Sequence, residues 1–208
     1  MKHEREYRDL YEVLKINEED QEKIVEGYAS TFNQPYVLWT DEAENLRVQE
    51  QVDSSAFAET DMSDVIMQYD HRGRVFARNK NNTLSIIPDE KGLYIRANLG
   101  GTEIGRQLYE EIRGGYTDKM SFGFTVTADE WNQENVDGID VYTRTIKAIG
   151  KLYDVSAVSI PANDNTSISV RSLVDGEIQK IKAERLAVQK RREVIEALKN
   201  KVQELKGE

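Results

Sequence analysis

The chain contains no cysteine, which excludes disulfides, thiolate nucleophiles and every zinc site built on cysteine. Histidine is almost as scarce. His3 and His71 are the only two, so metal sites that need several imidazoles are excluded, and an imidazole base is nearly assigned in advance. Proline occurs only three times, and no apolar run approaches the ~20 residues of a membrane-spanning helix. The opening Met-Lys-His-Glu-Arg-Glu lacks the apolar segment of a secretory signal, so no membrane role and a cytosol-like compartment are expected. Positive charge is in deficit. The 28 Lys and Arg stand against 38 Asp and Glu, a net charge of −10, which argues against a surface that grips nucleic-acid phosphates.

The 208 residues suffice for one well-buried core with appendages. From Val174 to Glu208 there are nine basic and seven acidic residues, a net +2, which leaves −12 on residues 1–173. The acidity belongs to the body and not to the tail. Tyr7, Leu10, Tyr11 and Leu14 fall at i, i+3, i+4 and i+7, a stripe that predicts a short amphipathic helix within a leader over residues 1–20.

Strands are predicted at Ile24 to Phe32, Leu46 to Val52, Val65 to Tyr69, Thr83 to Pro88 and Leu93 to Leu99, and again at Met120 to Thr127, Val141 to Ile149 and Leu152 to Ile160. A capped turn is expected over Ser54 to Glu59. One helix interrupts the strands, capped by Thr102, carried by Ile104, Leu108 and Ile112, and stopped at Gly114-Gly115. The tail, 174–208, has an apolar pattern interrupted by Arg185 and Arg192, and reads as a long exposed helix rather than a committed coiled coil. Strands outnumber helices in the body.

Three segments could carry chemistry. In Met120-Ser121-Phe122-Gly123-Phe124-Thr125-Val126, the apolar side chains share one strand face, while Ser121, Gly123 and Thr125 share the other. Gly123 leaves room for another backbone or a substrate to approach the Ser121 hydroxyl; the plainer reading is a strand with one polar face. Tyr69-Asp70-His71-Arg72-Gly73 ends an apolar strand at a turn, where a histidine can simply be a surface residue. A serine nucleophile nevertheless needs a base, and His3 lies in a charged leader, so any Ser-His machinery must use His71. Alternation along Leu152 to Ile160 places Asp154 on a face with Leu152, Ser156 and Val158. A carboxylate there needs a partner, either His71 or a cation such as Lys151, Lys147 or Arg171. Asp70 adjoins His71 and is a poor orienter for it. The acidic clusters Glu18-Glu19-Asp20 and Asp41-Glu42-Ala43-Glu44 lack a cation-loop signature and read as solvated surface, so neither a metal nor a cofactor is expected.

Taken together and in this order, these segments resemble the HK97-type prohead serine proteases, which mature the capsids of tailed bacteriophages. The resemblance runs from Gly27-Tyr28-Ala29-Ser30-Thr31-Phe32-Asn33 through Ala56-Phe57-Ala58, Tyr69-Asp70-His71, Lys91-Gly92-Leu93-Tyr94, Thr102 to Gly114 and Met120 to Phe124. It ends with Leu152-Tyr153-Asp154-Val155-Ser156, Pro161-Ala162-Asn163 and about Arg171. It implies an α+β fold: a mainly antiparallel β-barrel core with packed helices, similar to the herpesvirus assemblins, over residues 21–173. By position it implies Ser121 as nucleophile, His71 as general base and Asp154 as third member. Many relatives carry Glu at the third position, and the residues before His71 here are Gln68-Tyr69-Asp70. Oxyanion donors are expected in the Pro161 to Asp164 turn.

The activity implied is endoproteolysis of major capsid protein and scaffold segments inside the procapsid, within the host cytoplasm. The chain itself is a further possible substrate, and a homo-oligomer is expected. Two other readings compete: a catalytically inactive capsid-assembly or scaffold-binding module, and an acidic-site metallohydrolase.

Overall fold

Apolar alternation and ladder pairing turn most of the body into strands in the computed structural model, which describes residues 4–16, 22–159 and 168–206. Numbered in chain order, the large sheet runs β1 (Glu6–Val13), β10 (Lys119–Val136), β11 (Ile139–Val158), β5 (Leu46–Val52) and β4 (Tyr36–Asp41). The second half of β11 takes a different neighbour, β6 (Ile66–Tyr69), which pairs in turn with β7 (Arg72–Arg78). A second sheet has the order β2 (Lys15–Ile16), β3 (Ile24–Thr31), β9 (Gly92–Asn98) and β8 (Leu84–Pro88). Two helices complete an α+β fold: α1 (Glu103–Arg113) and α2 (Ile168–Lys206).

The strands pair mainly antiparallel, as expected, but among the described residues they do not close into the barrel that the resemblance implies. Closure requires the two edges of a sheet to pair, and among the described residues β1 and β4 remain edges of one sheet, β2 and β8 of the other. Moreover, β11 pairs in parallel with both β5 and β6, so the strand order branches instead of circling. An isolated bridge between Phe32 and Val52 links the end of β3 to β5. The apolar cluster includes Phe32, Phe57, Met67, Ile95, Leu108, Met120, Phe122, Phe124 and Val155. Within it the Phe122 and Phe124 rings stack with centroids 4.5 Å apart, as two residues on one strand face can.

α1 begins where the capping pattern places it: the Thr102 hydroxyl accepts from the Gly105 N–H at 3.0 Å, and Leu108, Tyr109 and Ile112 are buried. Residues 1–170 and 171–208 form two separate compact units. In the second, α2 exposes Leu186, Val188, Val194, Ile195, Leu198 and Val202, in keeping with the long exposed helix expected there. None of the described helices is long and apolar enough to cross a membrane.

The leader departs from its helical expectation: Glu6–Val13 is a strand paired antiparallel with β10. The helical stripe assumed that Glu6 and Arg8 face water, but both are buried. They join a charged cluster under the large sheet, in which fully buried Glu50 accepts from Arg8, from the Tyr36 hydroxyl at 2.5 Å and from Arg144 at 2.8 Å. Arg144 also meets Glu6 at 2.8 Å and Asp129 at 2.6 Å. Burial pushes the Glu50 carboxyl up, yet the two guanidiniums outweigh it and hold the group below its ordinary 4.5. Removing one partner of such a cluster leaves an uncompensated buried charge, so Glu50→Ala is expected to cost about 3–5 kcal/mol in urea denaturation. Because the folded-state value is depressed, Glu50 stabilises the fold above pH 4.5, and that contribution is lost as pH falls through the folded value.

Candidate active site

Strand pairing assembles the site. In the antiparallel register of β10 and β11, Ser121 lies opposite Ser156 and Gly123 opposite Asp154, which puts all four on one face. The register shifts between Gly123 and Phe124, because Phe124 pairs with Leu152 and Tyr153 is extra. This bulge corrects the expected alternation: Leu152 enters the apolar core with Val155 and Ala157, whereas Asp154 and Ser156 take the opposite face.

His71 arrives from a hairpin. β6 lies parallel to β11, with Tyr69 beside Ala157, and the chain reverses through Asp70 and His71 at φ 47° and 57°. Both central residues of this two-residue turn are left-handed, as a type I′ hairpin requires. Glycine is the usual occupant of the second central position, so a histidine there carries local backbone strain. The Asp70 N–H donates to the Ala157 carbonyl at 3.0 Å and ties the turn to β11. Asp70 does not orient the imidazole, in line with the sequence reading.

The three singled-out side chains meet. His71 Nδ1 lies 2.5 Å from Asp154 Oδ2, and His71 Nε2 lies 2.6 Å from Ser121 Oγ. Ser121 and Asp154 are wholly buried, while 15% of the His71 side chain is exposed. Burial raises the Asp154 carboxyl, but hydrogen bonds from His71 and the Ser156 hydroxyl and the charge of Arg5 together hold it below the ordinary carboxylate range. An ionised Asp154 only accepts, so Nδ1 of a neutral His71 carries the proton and Nε2 offers its lone pair to the Ser121 hydroxyl. The hydroxyl proton has a second acceptor within reach, the Arg8 carbonyl oxygen at 2.9 Å.

The space beside Gly123 is occupied differently from the expectation. A Cβ built there would stand 2.3 Å from Asp154 Oδ1 and 2.9 Å from Tyr7 and Arg5, so the glycine makes room for the carboxylate rather than for a second backbone. Gly123→Ala is therefore expected to push Asp154 off His71 and to lower activity by at least about tenfold, read from cleavage kinetics on folded protein.

Of the cations proposed for Asp154, Lys147 pairs with Asp53 and Lys151 with Asp61. The side chain of Arg171 lies outside the described residues. The cation that does pair with Asp154 is Arg5, which also lies over the Tyr7 and Tyr153 rings, and the Tyr7 ring is 4.4 Å from that of His71. Sequence reasoning missed Arg5 and Tyr7 because it treated the leader as a separate helix. Their spacing, Arg5-x-Tyr7 against Glu6-x-Arg8, is itself a period of two and was available as a signal. The Pro161 to Asp164 turn, where oxyanion donors were expected, and the cluster Glu18-Glu19-Asp20 lie outside the described residues. Among the described residues, no three His, Asp or Glu side chains are grouped to hold a metal.

A buried carboxylate, an imidazole and a hydroxyl joined in series can activate the hydroxyl as a nucleophile, which is the working unit of the serine hydrolases. Residues 11–182 match the family model of the caudovirus prohead serine proteases, and the chain belongs to that family. It is 29% identical over 164 residues to the prohead protease of Enterobacteria phage HK97, an alignment that covers 78% of this chain and 66% of that protein. The chain thus spans just under two thirds of that relative's length. No solved structure matches it.

Proposed function

We propose that the protein is a serine endopeptidase that cleaves capsid and scaffold proteins within the phage prohead, with Ser121 as nucleophile, His71 as general base and Asp154 as the residue that orients His71. The observation that carries this reading is the unbroken hydrogen-bond series Asp154–His71–Ser121. His71 Nε2 takes the hydroxyl proton as Ser121 Oγ attacks the scissile carbonyl carbon, and the negative charge goes to the carbonyl oxygen. The intermediate collapses to an acyl-enzyme, and the departing amine takes its proton from Nε2. Water then attacks the acyl carbon and gives a proton to the same nitrogen, releasing the new carboxyl end and restoring the Ser121 hydroxyl. Asp154 stays ionised throughout and stabilises the imidazolium formed in each step.

The chemistry falls to the body assigned to residues 21–173, with the capsid protein, scaffold segments and the chain itself as substrates, and several copies of the chain acting together inside the procapsid. The test is incubation of the purified protein with its capsid and scaffold proteins beside a Ser121→Ala control. Discrete fragments should form only with the unsubstituted chain, and a fluorophosphonate should label Ser121. Fragments of equal yield from both chains would refute the assignment.

A further inference from the structure

A nucleophile wholly shielded from solvent cannot attack a polypeptide, and Ser121 is so shielded. The strand on its flank is β1, whose backbone pairs with β10 from Glu6 opposite Phe124 to Leu10 opposite Met120, with Tyr7 opposite Gly123 and Asp9 opposite Ser121. Three contacts tie β1 and the residue just before it to the reacting groups: Arg5 pairs with Asp154, the Tyr7 ring lies against His71, and the Arg8 carbonyl accepts from the Ser121 hydroxyl. That carbonyl oxygen lies 2.9 Å from Ser121 Oγ. It engages Oγ as a hydrogen-bond acceptor, and so occupies the nucleophile without reacting.

The Glu6 and Arg8 side chains enter the charged cluster described above. Arg8 meets Glu50 and Glu6 and lies 5.5 Å from the Phe124 ring centroid, while Glu6 also meets Arg144, itself paired with Glu50. Extended peptides bind sheet edges in this manner, main-chain pairing supplying affinity and pockets for alternate side chains supplying selectivity. Arg5 to Arg8 also lie ahead of residues 11–182, the stretch that matches the family.

We propose that the edge of β10 beside Ser121 is the peptide-binding groove, and that β1 fills it from within the chain until displaced by an extended segment with an acidic and a basic residue two positions apart. This rests on the reading of Ser121 as the nucleophile. Glu50 and Arg144 select the basic and the acidic side chain respectively, and the incoming backbone brings its carbonyl carbon to Oγ in place of the Arg8 oxygen. β1 is thus both the cover of the site and a copy of what the site accepts.

The absence of native cysteine makes a clean test available. In the full chain, Leu10→Cys with Met120→Cys places two thiols on directly opposed positions of β1 and β10, within the reach of a disulfide. Fluorophosphonate labelling of Ser121 should be at least about tenfold slower in the oxidised form than in the reduced form, and reductant should restore it, since labelling requires the open population. Equal rates in the two forms would overturn the proposal while leaving Ser121 as nucleophile. No labelling of Ser121 in the reduced form, nor in an Arg5→Ala chain with a loosened cover, would instead overturn the assignment of Ser121, and the groove with it. A peptide copying Glu4 to Val13 should slow labelling of the reduced form more than a copy with alanine for Glu6 and Arg8. Equal effects of the two peptides, including none, would remove the acidic and basic requirement.

Discussion

Ser121→Ala is expected to lower peptide cleavage by roughly 10⁴-fold or more, with the chain still folded, because the proton and the electron pair that start acyl transfer both belong to that hydroxyl. The substitution removes one oxygen from a wholly buried position and leaves His71 Nε2 and the Arg8 carbonyl without the single hydroxyl proton within reach of both. An unsatisfied buried acceptor costs about 1–3 kcal/mol, so the variant should melt slightly earlier than the parent while staying folded at working temperature. The measurement is kcat/KM on a peptide from a capsid or scaffold protein, beside a thermal melt. Turnover retained by a folded Ser121→Ala chain would remove the serine-protease mechanism.

For Asp154→Asn the expected loss is about 10³- to 10⁴-fold, by a different route. The amide can donate to Nδ1, which transfers the ring proton to Nε2 and removes the lone pair that Ser121 needs. The carboxylate lost is wholly buried and held in ionised form by His71, Arg5 and Ser156, so an amide of the same shape cannot reproduce its charge. Asp154→Glu should be far milder than Asn, since it retains the charge and must only accommodate one methylene. Cleavage rates of the three chains, with melts to confirm folding, decide the matter. Equal damage from Asn and Glu, accompanied by unfolding, would make Asp154 a structural ion-pair residue only.

Where apolar periodicity and turn chemistry agreed, local structure was legible. β3, β5, β8, β9 and α1 fall where alternation, the Thr102 cap and the Gly114 stop place them. The second half of β10 was not found, because Asp129 to Val136 is mostly polar and exposed and is held by ladder pairing rather than by burial. Its turn was nonetheless written in the chain: Asp137-Gly138 adopts φ 52° and 85°, the two left-handed positions such a dipeptide favours. β1 failed for the opposite reason. Glu6 and Arg8 are buried, and periodicity arguments assume that charges mark the solvent side.

The sequence by itself determined which groups could react. With no cysteine and one histidine in the body, a serine mechanism could use only His71, and alternation put Ser121 on the strand face away from Phe122 and Phe124. Tertiary structure decided the rest. The bulge at Tyr153 selects the face of Asp154, the left-handed turn at His71 aims the ring, and β1 arrives at the edge of β10 to cover the site. The physical reason is range: strand phase and turn preference are set by neighbours within a few residues. The pairing of β1 with β10, and of Arg5 with Asp154 across 149 residues, is fixed only when the whole sheet has formed.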